Sequence, residues 1–128
     1  MSNITFNITN TTKAKLPSLA FADMKDAILG KKYELSFIII NKKGIQKLNK
    51  EYREINKPTD ILSFPLSDDF GEIYINPDMV KIEAKKFNRN YENFFGFLLI
   101  HGLVHLKGFD HGSTMESIEA RFRKQFGI

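Results

Sequence analysis

From Phe94 to Leu106 the chain is apolar almost without interruption, and the exceptions other than glycine are His101 and His105. A run of this kind reads as a helix buried on most of its sides. It is too short to span a bilayer, so it belongs in a protein core. Burying two imidazoles in such a helix is costly unless they have partners, and a metal ion is one. A third histidine, His111, follows shortly after, and the chain has no others.

His101 and His105 are four residues apart, so both rings leave the same face of a helix, about 6 Å apart along its axis. Gly108 ends the helix, because glycine accepts a left-handed C-terminal cap at little cost. The chain can turn there and bring His111 back toward the same point. The resulting His-x3-His-x5-His spacing is metzincin-like, with Gly102 standing where the metzincin glutamate base would be. The ligand pattern is present and the usual general base is not. Imidazoles suit zinc, copper, iron or nickel. With three histidines and no cysteine, one Zn²⁺ per chain held by His101, His105 and His111 is the first choice. Structural zinc sites normally close with four protein ligands, whereas catalytic ones often keep three and a water. No fourth ligand stands out, which favours an open, catalytic site.

The stretch His101-Gly102-Leu103-Val104-His105-Leu106-Lys107-Gly108-Phe109-Asp110-His111 resembles the H-G-x-L-H-L-x-G-Y-D-H signature of the YbeY family, bacterial ribosomal RNA maturation factors. Val104 for leucine and Phe109 for tyrosine are the departures. A second block, Tyr52 to Pro65, resembles the family's R-x-x-D-K-P-T-D-V-L-S-F-P. The resemblance implies a zinc-dependent endoribonuclease for single-stranded RNA, acting in small-subunit rRNA 3′-end maturation and ribosome quality control. It implies rRNA and the ribosome or ribosome-associated proteins as partners. It also implies that Arg53 lines the metal cleft, where a planar guanidinium can grip two phosphate oxygens. Without the resemblance, Arg53 reads as a cation at a helix C-terminus. The catalytic set is then Arg53, His101, His105 and His111. Asp110 either orients a ligand imidazole through a hydrogen bond or serves as a turn aspartate. Thr59, Asp60 and Glu72 are further candidates for orienting a ligand or touching substrate, with Glu72 standing where similar family members have aspartate.

The rest of the chain supplies elements to cover the histidine helix. Ile4 to Ile8 alternates as a strand with one buried face, and Leu16 to Leu29 has near-helical apolar spacing stopped by Gly30. Glu34 to Ile40 reads as a central strand. Asn41 caps a helix to about Arg53. Ile61 to Phe64 is a strand halted by Pro65 at an edge or an end, and Glu72 to Ile75 returns as its hairpin partner. Asn76-Pro77 opens a helix to about Asn88. Ser113 to Glu116 fits a capping box for a last helix to about Phe126. The order β-α-β-α-β-β-α-α-α predicts an α+β fold over residues 1–128, a small mixed sheet of about four strands packed with about five helices.

The net charge of +4 hints only weakly at nucleic acid. Lys42, Lys43, Lys47 and Lys50 form one basic helix face, and Lys81, Lys85, Lys86 and Arg89 another; each is a solvated face unless the fold brings it to the histidines. The absence of cysteine excludes disulfides and fits a reducing cytoplasm. The first residues lack the basic start and apolar run of a signal peptide, and no segment calls for a membrane. Mechanistically, zinc would make a water acidic near neutral pH while Arg53 stabilised charge on a pentacovalent phosphate. Losing the glutamate base harms a peptidase more than a nuclease. The alternatives are a noncatalytic ribosome-assembly factor with a structural metal, and a metal-dependent peptidase or other hydrolase.

Overall fold

The computed structural model of the chain describes residues 5–109 and 112–128. Nine elements follow in the predicted order: β1 (Phe6–Asn10), α1 (Phe21–Leu29), β2 (Glu34–Ile39), α2 (Lys42–Arg53), β3 (Ile61–Ser67), β4 (Phe70–Ile75), α3 (Pro77–Lys86), α4 (Tyr91–Leu106) and α5 (Ser113–Phe126). The strands form one mixed sheet in the order β1-β2-β4-β3. β1, β2 and β4 are parallel, and β3 runs antiparallel to β4. β2 is therefore interior, as its apolar run requires, and β3 is an edge.

Alternation along the strands decides what lies on each face of the sheet. Leu35, Phe37, Ile39, Ile73 and Ile75 are all buried in the main core. α4 shares that core and packs against β3, α1, α3 and α5. The rings of Phe21, Phe37 and Phe95 meet at 5.7 to 6.1 Å in tilted or edge-on contacts, the arrangement aromatic quadrupoles favour. Burying one such side chain contributes about 1.5–3 kcal/mol, so this cluster anchors α4 to the sheet. Ile45 of α2 and Leu62 of β3 are also buried but stand apart from that core.

The Asn41 and Asn76 caps form as the sequence requires, and Asn90, not among the caps expected from the sequence, adds a third. The Asn41, Asn76 and Asn90 side chains accept from the backbone N–H groups of Gly44, Asp78 and Asn93. Gly108 takes φ 108° just past α4, and its N–H donates to the His105 carbonyl at 3.0 Å.

Four local expectations change. The first strand is Phe6–Asn10 rather than Ile4–Ile8 and, at the sheet edge, has no buried face: Phe6 is half-buried and Ile8 is exposed. α1 begins at Phe21 rather than Leu16: Pro17 disfavours helix at the residue before it, and the N–H groups of Leu19 and Phe21 close short turns onto the carbonyls of Pro17 and Leu19. Pro65 does not halt β3, which runs to Ser67 through a register shift between Pro65 and Ser67; an edge strand with a bulge tolerates the missing donor. The capping box does not form. Gly112 is the N-cap of α5 and makes no side-chain cap bond, and the Glu116 carboxylate instead accepts from Arg123 Nη2 at 3.1 Å.

Candidate active site

After a partly exposed first turn, α4 is dry from Phe94 to Ile100 and becomes polar near its end. Ten of its sixteen residues are buried, while His101 and His105 are half-buried. They open onto a cleft of about 220 Å³ lined by Arg53, Ile61, Leu62, Ser63, His101 and His105. One wall is thus the last two turns of α4, another is the start of β3, and Arg53 comes from the end of α2.

Arg53 is delivered there by the way α2 stops. Glu54 takes a left-handed φ of 58°, and its N–H donates to the carbonyls of Asn49 and Lys50. Asn49, only 3% exposed, then ties down the following loop: its Nδ2 donates to the Lys57 carbonyl at 2.9 Å, and the Ile55 N–H donates to the Asn49 carbonyl at 3.2 Å. One side-chain tie and one backbone tie at this buried residue fix where the helix ends, and so where the guanidinium stands.

Gly102 explains the absent glutamate. It is buried, and a Cβ placed on it would meet Ser63 Oγ at 2.9 Å and Ile61 Cδ1 at 3.0 Å. α4 therefore lies so close to β3 that any side chain at this position must displace the Ser63 hydroxyl and the end of Ile61. Packing the histidine helix onto the edge strand thus disfavours a glutamate base here.

A carboxylate that the sequence reading missed enters from α5. Glu119 Oε1 lies 2.9 Å from His101 Nδ1, and Glu119 is 5% exposed. The signal was available: Met115, Glu119 and Phe122 fall at helical spacing on the buried stripe of α5, and a glutamate on such a stripe needs a partner. Ser63 was also missed as a cleft residue; its hydroxyl reaches toward the Gly102 carbonyl at 3.5 Å.

Residues 3–126 match the family described as Endoribonuclease YbeY. The chain belongs to the YbeY family. It is 40% identical over 111 residues to an Endoribonuclease YbeY of Aliarcobacter butzleri, covering 82% of this chain and 78% of the relative. A Francisella philomiragia relative of the same name is 30% identical over 149 residues, covering all of this chain and 94% of its own. The solution structure of a Thermotoga maritima protein superposes with a TM-score of 0.68 at 28% identity, covering 94% of this chain and 88% of that one. The α+β fold derived above is therefore the family's fold.

The remaining candidates are distributed unevenly. His111 and Asp110 lie outside the described residues. Among the described residues no cluster of three or more metal-ligating side chains is gathered; His101 and His105 are the two candidate ligands that share the cleft. Thr59 and Asp60 precede β3 without joining the described cleft lining, and the Thr59 hydroxyl donates to Asp60 Oδ1 at 3.4 Å. Burial pushes the Asp60 carboxyl above its usual range, with the Glu83 charge adding to the rise and backbone N–H groups and Thr59 opposing it. Glu72 sits elsewhere, in a groove with Leu48, Tyr52, Phe64, Pro65, Leu66 and Tyr74, because it alternates with the inward-facing Ile73. There burial, and then the Glu72 charge, raise the Tyr74 phenol.

The two basic faces differ. Lys42, Lys43, Lys47 and Lys50 are exposed on α2, the helix that carries Arg53. On the other face, Lys86 pairs with Glu83 at 3.1 Å, Lys81 lies over the Tyr91 ring, and the Arg89 guanidinium stacks 4.5 Å from Phe97. Lys81 and Arg89 are thus held against rings of α4 and Lys86 is paired within α3, while the α2 lysines share a helix with Arg53, which makes α2 the better surface for phosphate. Among the described residues no helix is long and apolar enough to cross a membrane.

Proposed function

We propose that this YbeY-family chain is a zinc-dependent endoribonuclease that cuts single-stranded RNA in the cleft between α4 and β3. The observation that carries the reading is the convergence of His101, His105 and Arg53 on one cleft from helices far apart in sequence. A bidentate cation beside two imidazoles suits a phosphodiester, whose transition state gathers charge on oxygen.

The donor set fits zinc. It is all imidazole, it lies one turn apart on a rigid helix, and one ring is already hydrogen-bonded through Nδ1 to a carboxylate. His101 and His105 would hold the ion, with His111 as the third ligand implied by the sequence. When bound, zinc supplies Lewis acidity and a water made acidic near neutral pH. Arg53 grips the non-bridging oxygens of the scissile phosphate and stabilises the charge that develops there. Ile61 and Leu62 exclude water from one wall of the cleft. The lysines of α2 attract the flanking backbone, which makes binding weaken as salt rises.

The substrate we assign is rRNA, with maturation of the small-subunit 3′ end and ribosome quality control as the setting and the cytoplasm as the place. Support comes from the two motif blocks and from family membership.

The test is cleavage of end-labelled single-stranded rRNA by zinc-loaded protein, with folded His105→Ala purified in parallel. Cutting that vanishes in the variant and on chelation, while the circular dichroism of both proteins stays native, bears the proposal out. Equal cutting by both overturns it. Unfolding on chelation with no cutting after zinc is restored would make the metal structural and the chain an assembly factor.

A further inference from the structure

Glu119 is a carboxylate in a place that packing alone would give to leucine. Met115 and Phe122, its neighbours on the same stripe of α5, are 2% and 9% exposed. An ionised carboxylate in such surroundings costs several kcal/mol unless it is hydrogen-bonded. Its hydrogen-bond partner is His101. Glu116, one turn back, lines the same small cavity behind His101 but is engaged by Arg123.

We propose that Glu119 is a positioning residue for the metal site. An ionised carboxylate only accepts hydrogen bonds, so the proton shared across the 2.9 Å contact belongs to His101 Nδ1. That assignment puts the ring's lone pair on Nε2, the nitrogen a metal would then take. The contact also fixes the ring's rotation, and the carboxylate raises the donor strength of the imidazole and adds a negative charge near a divalent cation. α5 can do this because its position is set independently of the metal. Met115 and Phe122 belong to the core, Phe126 and Ile128 pack against it, and Gly96 of α4 leaves the space that the Ile128 side chain fills. The C-terminal helix is thus part of the site: it holds one ligand in the protonation pattern that binding needs before the metal arrives.

This inference rests on His101 being a ligand, so its test reads the metal and the ring separately from catalysis. Histidine side-chain ¹⁵N–¹H correlation spectra of the metal-free protein report which ring nitrogen carries the proton. Zinc affinity is measured by competition with a chromophoric chelator. The wild type is expected to show His101 protonated on Nδ1. Glu119→Met, which fills the same space without an acceptor, is expected to lose that preference and to bind zinc about 10–100-fold more weakly, with a melting temperature equal to or above that of the wild type. Glu119→Gln keeps an acceptor oxygen and no charge; it is expected to retain the tautomer and bind with intermediate affinity, and it carries the test if the methionine variant fails to fold.

A wild-type His101 protonated on Nε2 overturns the proposal outright. So does a fall in melting temperature with zinc affinity unchanged in both variants, which would make the contact purely structural. A wild type that binds no zinc overturns the metal reading itself, and this proposal with it. Zinc binding by the wild type that neither substitution weakens overturns this proposal alone.

Discussion

The two halves of α4 solve opposite problems with one continuous helix. From Phe94 to Ile100 it is buried on nearly every side, and Phe95 alone meets the rings of Phe21, Phe37 and Tyr91. From His101 to Leu106 the helix keeps its apolar residues Leu103, Val104 and Leu106 in the core but turns two imidazoles to a cleft. The first half contributes stability and has no polar side chain to offer a substrate. The second half gives up part of its burial to present nitrogen. Rigidity is what the second half gains from the first: a site built on a packed helix holds its geometry without spending binding energy to organise it.

That contrast predicts which substitutions separate folding from activity. Phe95→Ala should cost about 3–5 kcal/mol of stability, since the ring is fully buried and its neighbours cannot close the gap. Urea unfolding would show it as a lower midpoint at constant slope, and a loss under 1 kcal/mol would mean the anchoring cluster is not where α4 is held. Arg53→Ala belongs to the other half of the comparison. Arg53 is exposed and should be removable with little change in the midpoint, while cleavage falls about 10²–10³-fold, the usual cost of losing one oxyanion-stabilising group. Arg53→Lys should recover little of that, because an ammonium lacks the planar fork. Full activity in the lysine variant would reduce Arg53 to a general electrostatic contact.

The two halves were also unequally legible. His101 and His105 were visible because spacing on one helix is local, and the helix itself announced its burial through its composition. Glu119 was not visible in the same way: its meaning depends on α5 packing across α4, a long-range contact that periodicity places only as a glutamate on an apolar stripe. Gly102 was legible as an absence but not as a cause, since its closeness to Ser63 and Ile61 follows from the sheet order. Glu72 shows the converse. The family resemblance drew attention to it, yet strand alternation sends it into the groove beside Tyr74 rather than into the cleft. Element order, the interior β2 and the Asn41 and Asn76 caps followed from local chemistry. Pro65 and the start of α1 did not, because an edge bulge and two short turns absorbed what propensity alone would have forbidden.

Gly102 marks the boundary between the halves, and replacing it sharpens the comparison. Gly102→Ala gains helix propensity, worth about 1 kcal/mol, but drives a methyl group against Ser63 and Ile61, where overpacking costs about 1–3 kcal/mol. The net should be a destabilisation of about 1 kcal/mol, read by urea unfolding, together with a loss of cleavage as the cleft wall shifts. Gly102→Glu should unfold far more easily and should not acquire peptidase activity, since its side chain must displace Ser63 and Ile61 before the carboxylate can reach the cleft. Peptide cleavage by a folded Gly102→Glu protein would show that the close packing of α4 on β3 is not what disfavours a base.

The smallest expected effect comes from the partly buried carboxyl just before the cleft strand. Burial raises the Asp60 pKa in the folded protein above its ordinary value. A raised carboxyl binds a proton more readily folded than unfolded, so it costs stability at neutral pH, and that cost disappears as the pH falls through the folded pKa. The sign is opposite to that of a salt-bridged aspartate. Asp60→Asn keeps the shape and an acceptor for the Thr59 hydroxyl but removes the charge. It should therefore be slightly more stable than the wild type at pH 7, with the gap narrowing as the pH is lowered toward about 4. Melting temperatures of the two proteins across that range decide it. A variant less stable at pH 7 would mean that the ionised carboxylate is held by its backbone N–H partners more strongly than burial opposes it. The rise in pKa would then have the wrong sign, and Asp60 would belong with the polar groups that anchor β3 rather than with those that strain it.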